Sequence, residues 1–92
     1  MKSASFSNKA ASAAVSAVPA SLYAVVLTAT SDTATATLYD NATAGTGTVI
    51  CSLSAATLTS AVFQPGVRIP TANGIYVTLT GTTPSCTVVY TP

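Results

Sequence analysis

The chain has 92 residues, only five of which are charged, and it contains no histidine, glutamate or tryptophan. Acid–base catalysis, metal ligation and phosphate binding rely on His, Glu, Asp, Lys and Arg, which are absent or scarce here, so we expect neither an enzyme nor a cofactor or metal site. Hydrophobic residues make up 49% of the chain and the net charge is +1, which excludes a disordered chain and gives no field to attract nucleic acid or a membrane surface.

Residues 1–20 are rich in alanine and serine and contain one aromatic residue, Phe6. Alanine has the highest helix propensity and Asn8 is a suitable N-cap, which favours a short helix over residues 9–18. Because such a helix would have little apolar surface, we predict an arm that is either flexible or bound to a partner. A cleaved signal peptide is an alternative, although the segment lacks the strongly apolar residues of one.

Residues 21–92 carry the pattern of a β domain. An apolar run at the start is typical of a strand covered on both faces, and the later segments alternate apolar and polar residues as half-buried strands do. Clusters of Gly, Pro, Asn and Asp separate these segments and indicate tight turns. The predicted strands are 22–30, 33–39, 48–54, 58–64, 67–69, 75–80 and 86–90.

Six or seven short strands with no helical period after residue 20 predict an all-β fold, either an antiparallel β-sandwich or a small barrel. Natural sheets usually protect their edges with lysine or other charges, and this domain has only Pro65, Pro70 and Pro84 to serve that purpose. We therefore expect a partner to cover the edges. The alternation assigns these residues to the core: Ala34, Ala36, Leu38, Val49, Cys51, Leu53, Ile75, Val77, Leu79, Cys86, Val88 and Tyr90.

Two cysteines, Cys51 and Cys86, fall on apolar phases of predicted strands. Without histidine, one pair of cysteines is insufficient for a zinc site. Two alternatives remain: a disulfide between the sheets, which would stabilise the fold by about 3–4 kcal/mol, or two small buried thiols.

The two aspartates do not suggest a reactive pair. Asp32 and Asp40 lie at opposite ends of one predicted strand, roughly 26 Å apart if it is extended, which is too far for paired carboxylate chemistry. Asp40 and Asn41 begin a loop with a faint likeness to a calcium site, but alanines stand where further oxygen ligands are needed. A plain turn, in which both side chains bond their own backbone, is the better interpretation.

Aromatic residues and arginine are enriched at protein interfaces, which selects the candidate contact residues. Tyr76 lies on the polar phase of its strand, Arg68 is the only cation of the predicted β domain, and Phe6 is the one aromatic residue of the arm. Tyr39 and Tyr90 are expected to cap the core with their hydroxyls at the rim.

Four segments between about residues 22 and 90 carry a resemblance to a known class of protein: 36–41 (ATLYDN), 45–50 (GTGTVI), 73–77 (NGIYV) and 86–90 (CTVVY). With these segments the chain resembles small β-sandwich virion proteins of tailed bacteriophages, of the head-decoration kind. The resemblance implies a non-enzymatic capsid decoration or cement subunit on the virion surface, bound to the major capsid protein. The expected assembly is a homo-oligomer, with a trimer as its order.

Two further functions fit the same composition. A phage tail, fibre or cell-surface adhesion module would bind a receptor or glycan through Tyr76 with Thr78 and Thr80. A secreted or pilin-like subunit would have its mature N-terminus near Ser21. Copy number separates the decoration protein from the tail module, since a decoration protein is present in hundreds of copies per virion and a tail-tip protein in a handful.

Overall fold

The computed structural model describes residues 5–67, 69–82 and 84–91, with the backbone alone of residues 5 and 6. These residues form two antiparallel sheets that pack face to face, so the all-β sandwich predicted from the sequence is confirmed. The strands are, in chain order, β1 (Ser5–Lys9), β2 (Ala13–Ser16), β3 (Ser21–Thr28), β4 (Ala34–Tyr39), β5 (Val49–Ala55), β6 (Ser60–Phe63), β7 (Ile69–Pro70), β8 (Ile75–Thr80) and β9 (Ser85–Thr91).

Sheet A has the strand order β1-β9-β3-β6, and β7 pairs with the same side of β3 as β6 does. Sheet B has the order β2-β8-β4-β5. The chain therefore crosses repeatedly between the sheets, and its first two strands lie at the edges of different sheets. No helix able to span a membrane occurs among the residues that the structure describes.

Period-two alternation sets the core. In β4, the alanines at 34 and 36 and Leu38 are buried while the intervening threonines are partly exposed, and β8 follows the same rule. Branched and apolar side chains on one phase of each pleated strand then meet between the sheets. The largest fully buried side chains are Leu22, Leu27, Leu38, Ile75, Val25, Val77, Val88 and Cys86.

The helix predicted over residues 9–18 is wrong, because this region forms strands. β1 pairs with β9 along its whole length, and β2 pairs with β8 through a bulge between Ala14 and Ser16. Over the described residues, the predicted arm thus closes one side of the sandwich and belongs to the same body. Tertiary pairing overrides the helix propensity of alanine here.

Two smaller expectations also change. Ile50 has no partner in β4 and shifts the register between β4 and β5. Val49 therefore leaves the inward phase and is 51% exposed. Pro84 is buried and so does not protect an edge. Tyr90 packs against the core as expected.

Candidate interaction surface

The outer face of sheet B is a surface of hydroxyl groups. Across its strands, Thr35 lies opposite Thr80 and Ser54, and Thr37 lies opposite Thr78 and Ser52. The hydroxyls of Thr35 and Thr80 contact one another, and those of Thr37 and Ser52 are 3.5 Å apart. We call these six residues the hydroxyl face. They carry no charge, yet can both donate and accept hydrogen bonds.

Tyr76 lies at one end of the hydroxyl face, where it pairs across the sheet with Tyr39. The loop after β4 folds back over both rings: a Cβ at Gly45 would lie 3.5 Å from Tyr76 Cε1 and 3.6 Å from Tyr39 Cε2, and would overlap the Thr78 hydroxyl. Tyr76 is consequently half-buried instead of fully exposed. Tyr39, expected at the rim of the core, instead joins this outer pair.

Asn41 holds the loop after β4 in shape. Its Oδ1 accepts hydrogen bonds from the backbone N–H groups of Thr43 (2.9 Å) and Ala44 (3.1 Å), and its Nδ2 donates to the carbonyl oxygen of Thr46 (3.1 Å). These bonds are those of an Asx turn, as the sequence predicted for this residue. The loop therefore lies over the tyrosine pair as an ordered structure.

Asp40 works differently from the sequence expectation, because its carboxylate bonds a distant segment and not its own turn. It accepts hydrogen bonds from the backbone N–H groups of Ala72 (2.9 Å), Asn73 (2.8 Å) and Gly74 (3.4 Å). These N–H groups, that of Ala72 first, hold the pKa of the Asp40 carboxyl below its ordinary value, against the opposing effect of burial. Asp40 thus ties the end of β4 to the loop before β8.

Replacing Asp40 with asparagine should lower the free energy of unfolding by about 1 kcal/mol at neutral pH, because the charge-assisted bonds weaken and the site is close to solvent. Since the folded pKa is lowered, the stabilisation by Asp40 is complete above the unfolded value of about 3.9 and is lost as pH falls through the folded value. Denaturant unfolding of both proteins from neutral to acidic pH measures this difference.

Asp32→Asn is the matched control, since it removes the same charge. The Asp32 carboxylate accepts a hydrogen bond from the neighbouring Thr33 N–H at 2.8 Å and so acts within its own turn. We expect Asp32→Asn to change stability less than Asp40→Asn. Equal losses for the two variants, or a loss for Asp40→Asn that does not shrink in acid, would contradict the role assigned to Asp40.

Both cysteines are free thiols in the structure. Cys86 is fully buried in β9 and Cys51 is half-buried in β5. Burial raises the pKa of the Cys86 thiol to about 11, and burial together with the nearby Cys86 raises that of Cys51 to about 11. Both thiols therefore stay protonated at neutral pH, which makes them poor nucleophiles.

The two remaining contact candidates are only partly placed. Phe6 lies in β1 with its backbone opposite Val89, and its side chain lies outside what the structure describes. Arg68 also lies outside the described residues. Of the three predicted contact residues, the structure therefore describes the side chain of Tyr76 alone.

The open side of the sandwich is the feature that sequence reasoning missed. β5 ends sheet B and β6 ends sheet A on the side away from β1 and β2, and no described strand pairs with the outer edge of β5. Half-buried apolar side chains line this side, where the core is incompletely covered. They are Ile50, Cys51, Leu53, Ala61, Phe63 and Ile69.

The outer face of sheet A is more mixed than that of sheet B, because aliphatic side chains lie there among Asn8, Thr28 and Ser60. Val26 lies opposite both Thr87 and Val62, and Ala24 lies opposite Val89. Val62 is 58% exposed. Both outer faces and the open side are thus surfaces for neutral contacts.

In the described part of the chain, no three His, Cys, Asp or Glu residues are placed to share a metal ion. Comparison with protein-family models, curated proteins and solved structures finds no match to this chain.

Proposed function

We propose that this protein is a non-enzymatic structural subunit of a tailed-phage virion, which forms homo-oligomers and decorates the capsid by binding the major capsid protein. The observation that carries the proposal is the lack of charge on the surfaces where a free-standing β domain needs it. From residue 41 to residue 67 the sequence contains no charged side chain, and this stretch includes β5 and β6.

An uncharged surface favours association for a simple reason. Like-charged molecules repel one another and stay dispersed, whereas a net charge of +1 on 92 residues gives little repulsion. A standard interface takes about 800 Å² from each partner, which is about a sixth of the 4748 Å² that this protein exposes. Covering a single face is therefore sufficient for a specific contact.

The two outer faces suit a shell component. The hydroxyl face offers neutral hydrogen-bonding groups that fit a polar interface, and the valines on the outer face of sheet A offer apolar area to bury. Neither needs a charged partner, so the contact would tolerate changes in ionic strength. The four sequence segments that resemble phage decoration proteins support a place on the virion.

Quantitative mass spectrometry of purified phage particles from cells that produce the protein tests the proposal. We expect the chain to copurify with the major capsid protein at hundreds of copies per particle. A handful of copies would instead favour the tail or adhesion module, for which the tyrosine pair beside the hydroxyl face is the specific support. Absence of the chain from the particles would refute a virion role.

A further inference from the structure

We propose that the outer edge of β5 pairs with the β5 edge of a second copy of this chain, antiparallel and about a two-fold axis, so that two B sheets join into one continuous sheet. The proposal goes beyond the virion role and does not depend on it. It rests on a comparison of the edges of the sandwich.

The other edges carry features that oppose strand addition. Lys9 in β1 lies opposite the buried Cys86 and so takes the inward phase of an edge strand, a position where a charge prevents pairing. β2 is bulged. β6 and β7 are short, with four and two residues, and Pro65 and Gly66 lie between them.

β5 has none of these protections over most of its length. After the irregularity at Ile50, the five residues from Cys51 to Ala55 pair with β4 in unbroken register. They include no charge, proline or glycine. In an edge strand, about half of the backbone N–H and C=O groups point away from the sheet, and here no described strand pairs with them.

A second copy is the occupant that fits this edge. A charged partner strand would place its charge against the half-buried side chains of Cys51 and Leu53 without a counter-charge, whereas another β5 is equally neutral. A two-fold axis at Leu53 sets Ser52 opposite Ser54 of the second copy, so serine meets serine on the outer face. Leu53 then meets its own copy on the inner face, which extends the core.

The contact should be weak because one strand edge buries less than a standard interface. We expect a dimer with a dissociation constant on the order of micromolar. The trimer implied by the sequence resemblance would instead need a contact between two different edges, which a self-pairing edge does not supply.

Sedimentation velocity of charge variants tests the pairing. Ser52→Lys with Ser54→Lys places like charges directly opposite one another, and the aspartate double variant does the same. We expect each variant alone to dimerise at least about tenfold more weakly than wild type, and an equal mixture of the two to recover the dimer, because lysine then faces aspartate. Recovery in the mixture would also show that neither variant is misfolded.

The matched control places two lysines on β6, the edge strand of sheet A, at Ser60 and Val62, which are also exposed. This variant should dimerise as wild type does. A wild-type chain that stays monomeric up to about 1 mM, a concentration that exceeds the expected dissociation constant, would overturn the proposal. So would a mixture that fails to recover the dimer, or a control variant that loses it.

Discussion

Replacing Gly74 with alanine is expected to lower the free energy of unfolding by about 3 kcal/mol, one of the two largest effects that the structure predicts. Gly74 lies where three segments meet, and a Cβ there would overlap the backbone oxygen of Ser16 and lie 3.0 Å from Ala42 Cα. Its φ of +155° is also unfavourable for other residues. Because all three of the crowding atoms belong to the backbone, they have little room to move.

Gly66→Ala is the matched control for this crowding. Gly66 also has a positive φ, +81°, but a Cβ there would meet nothing within 4 Å. Its substitution should therefore lower stability by only about 1 kcal/mol, through backbone strain alone. Denaturant unfolding measures both variants, and equal losses would show that close packing at Gly74 is not what requires glycine.

Deleting residues 1–9, which removes β1, is expected to lower the free energy of unfolding by about 2–4 kcal/mol. Each backbone hydrogen bond lost to β9 removes about 1 kcal/mol of stability. The conformational entropy that the chain regains, because β1 no longer has to be ordered, offsets part of this loss. A chain of this length has roughly 5–14 kcal/mol in total, so the loss is large. The deletion also leaves β9 as a new edge, and we expect faster hydrogen exchange at Val88 and its neighbours.

Asn8→Ala provides a graded comparison, because it keeps β1 and removes one side chain that bonds Ser85 (3.0 Å) and Thr87 (2.8 Å) across the strands. It should lower stability by about 1 kcal/mol. If the deletion leaves both the unfolding free energy and the exchange of β9 unchanged, the first residues form a separate arm and not a strand of the sandwich.

The period-two pattern made most of the β domain predictable. β8 has the predicted bounds and burial, and β4 differs by one residue at its start. In both strands, Ile, Val and Leu alternate with Thr or Tyr, or Ala with Thr, so that local propensity and tertiary environment agree. Where they agree, the sequence alone is sufficient.

The N-terminal strands were not predictable for the opposite reason. Half of β2 is alanine, whose local preference is helical, and the pairing that makes it a strand comes from β8, about 60 residues later in the chain. Asp40 shows the same limit, since its three backbone partners lie 32 to 34 residues away. The bulge that turns Val49 outward likewise leaves no mark in the alternation.

The neutral character of the outer faces was predictable from the sequence, but the position of the candidate surface was not. Tyr76 lies on the outer phase of its strand, as the alternation predicted. The loop that folds over Tyr76 depends on the absence of a side chain at Gly45, which the sequence pattern did not reveal. The unpaired edge of β5 became visible only from the order of strands in sheet B.

Sedimentation velocity of the wild-type chain over a range of concentrations, at about 0.01 M and about 1 M salt, tests whether its neutral surfaces associate with neutral partners, because salt screens contacts between charges. We expect the chain to associate as its concentration rises, and the association to be as strong or stronger at high salt. A chain that remains a 9.1 kDa monomer throughout, or an association that high salt abolishes, would contradict this expectation.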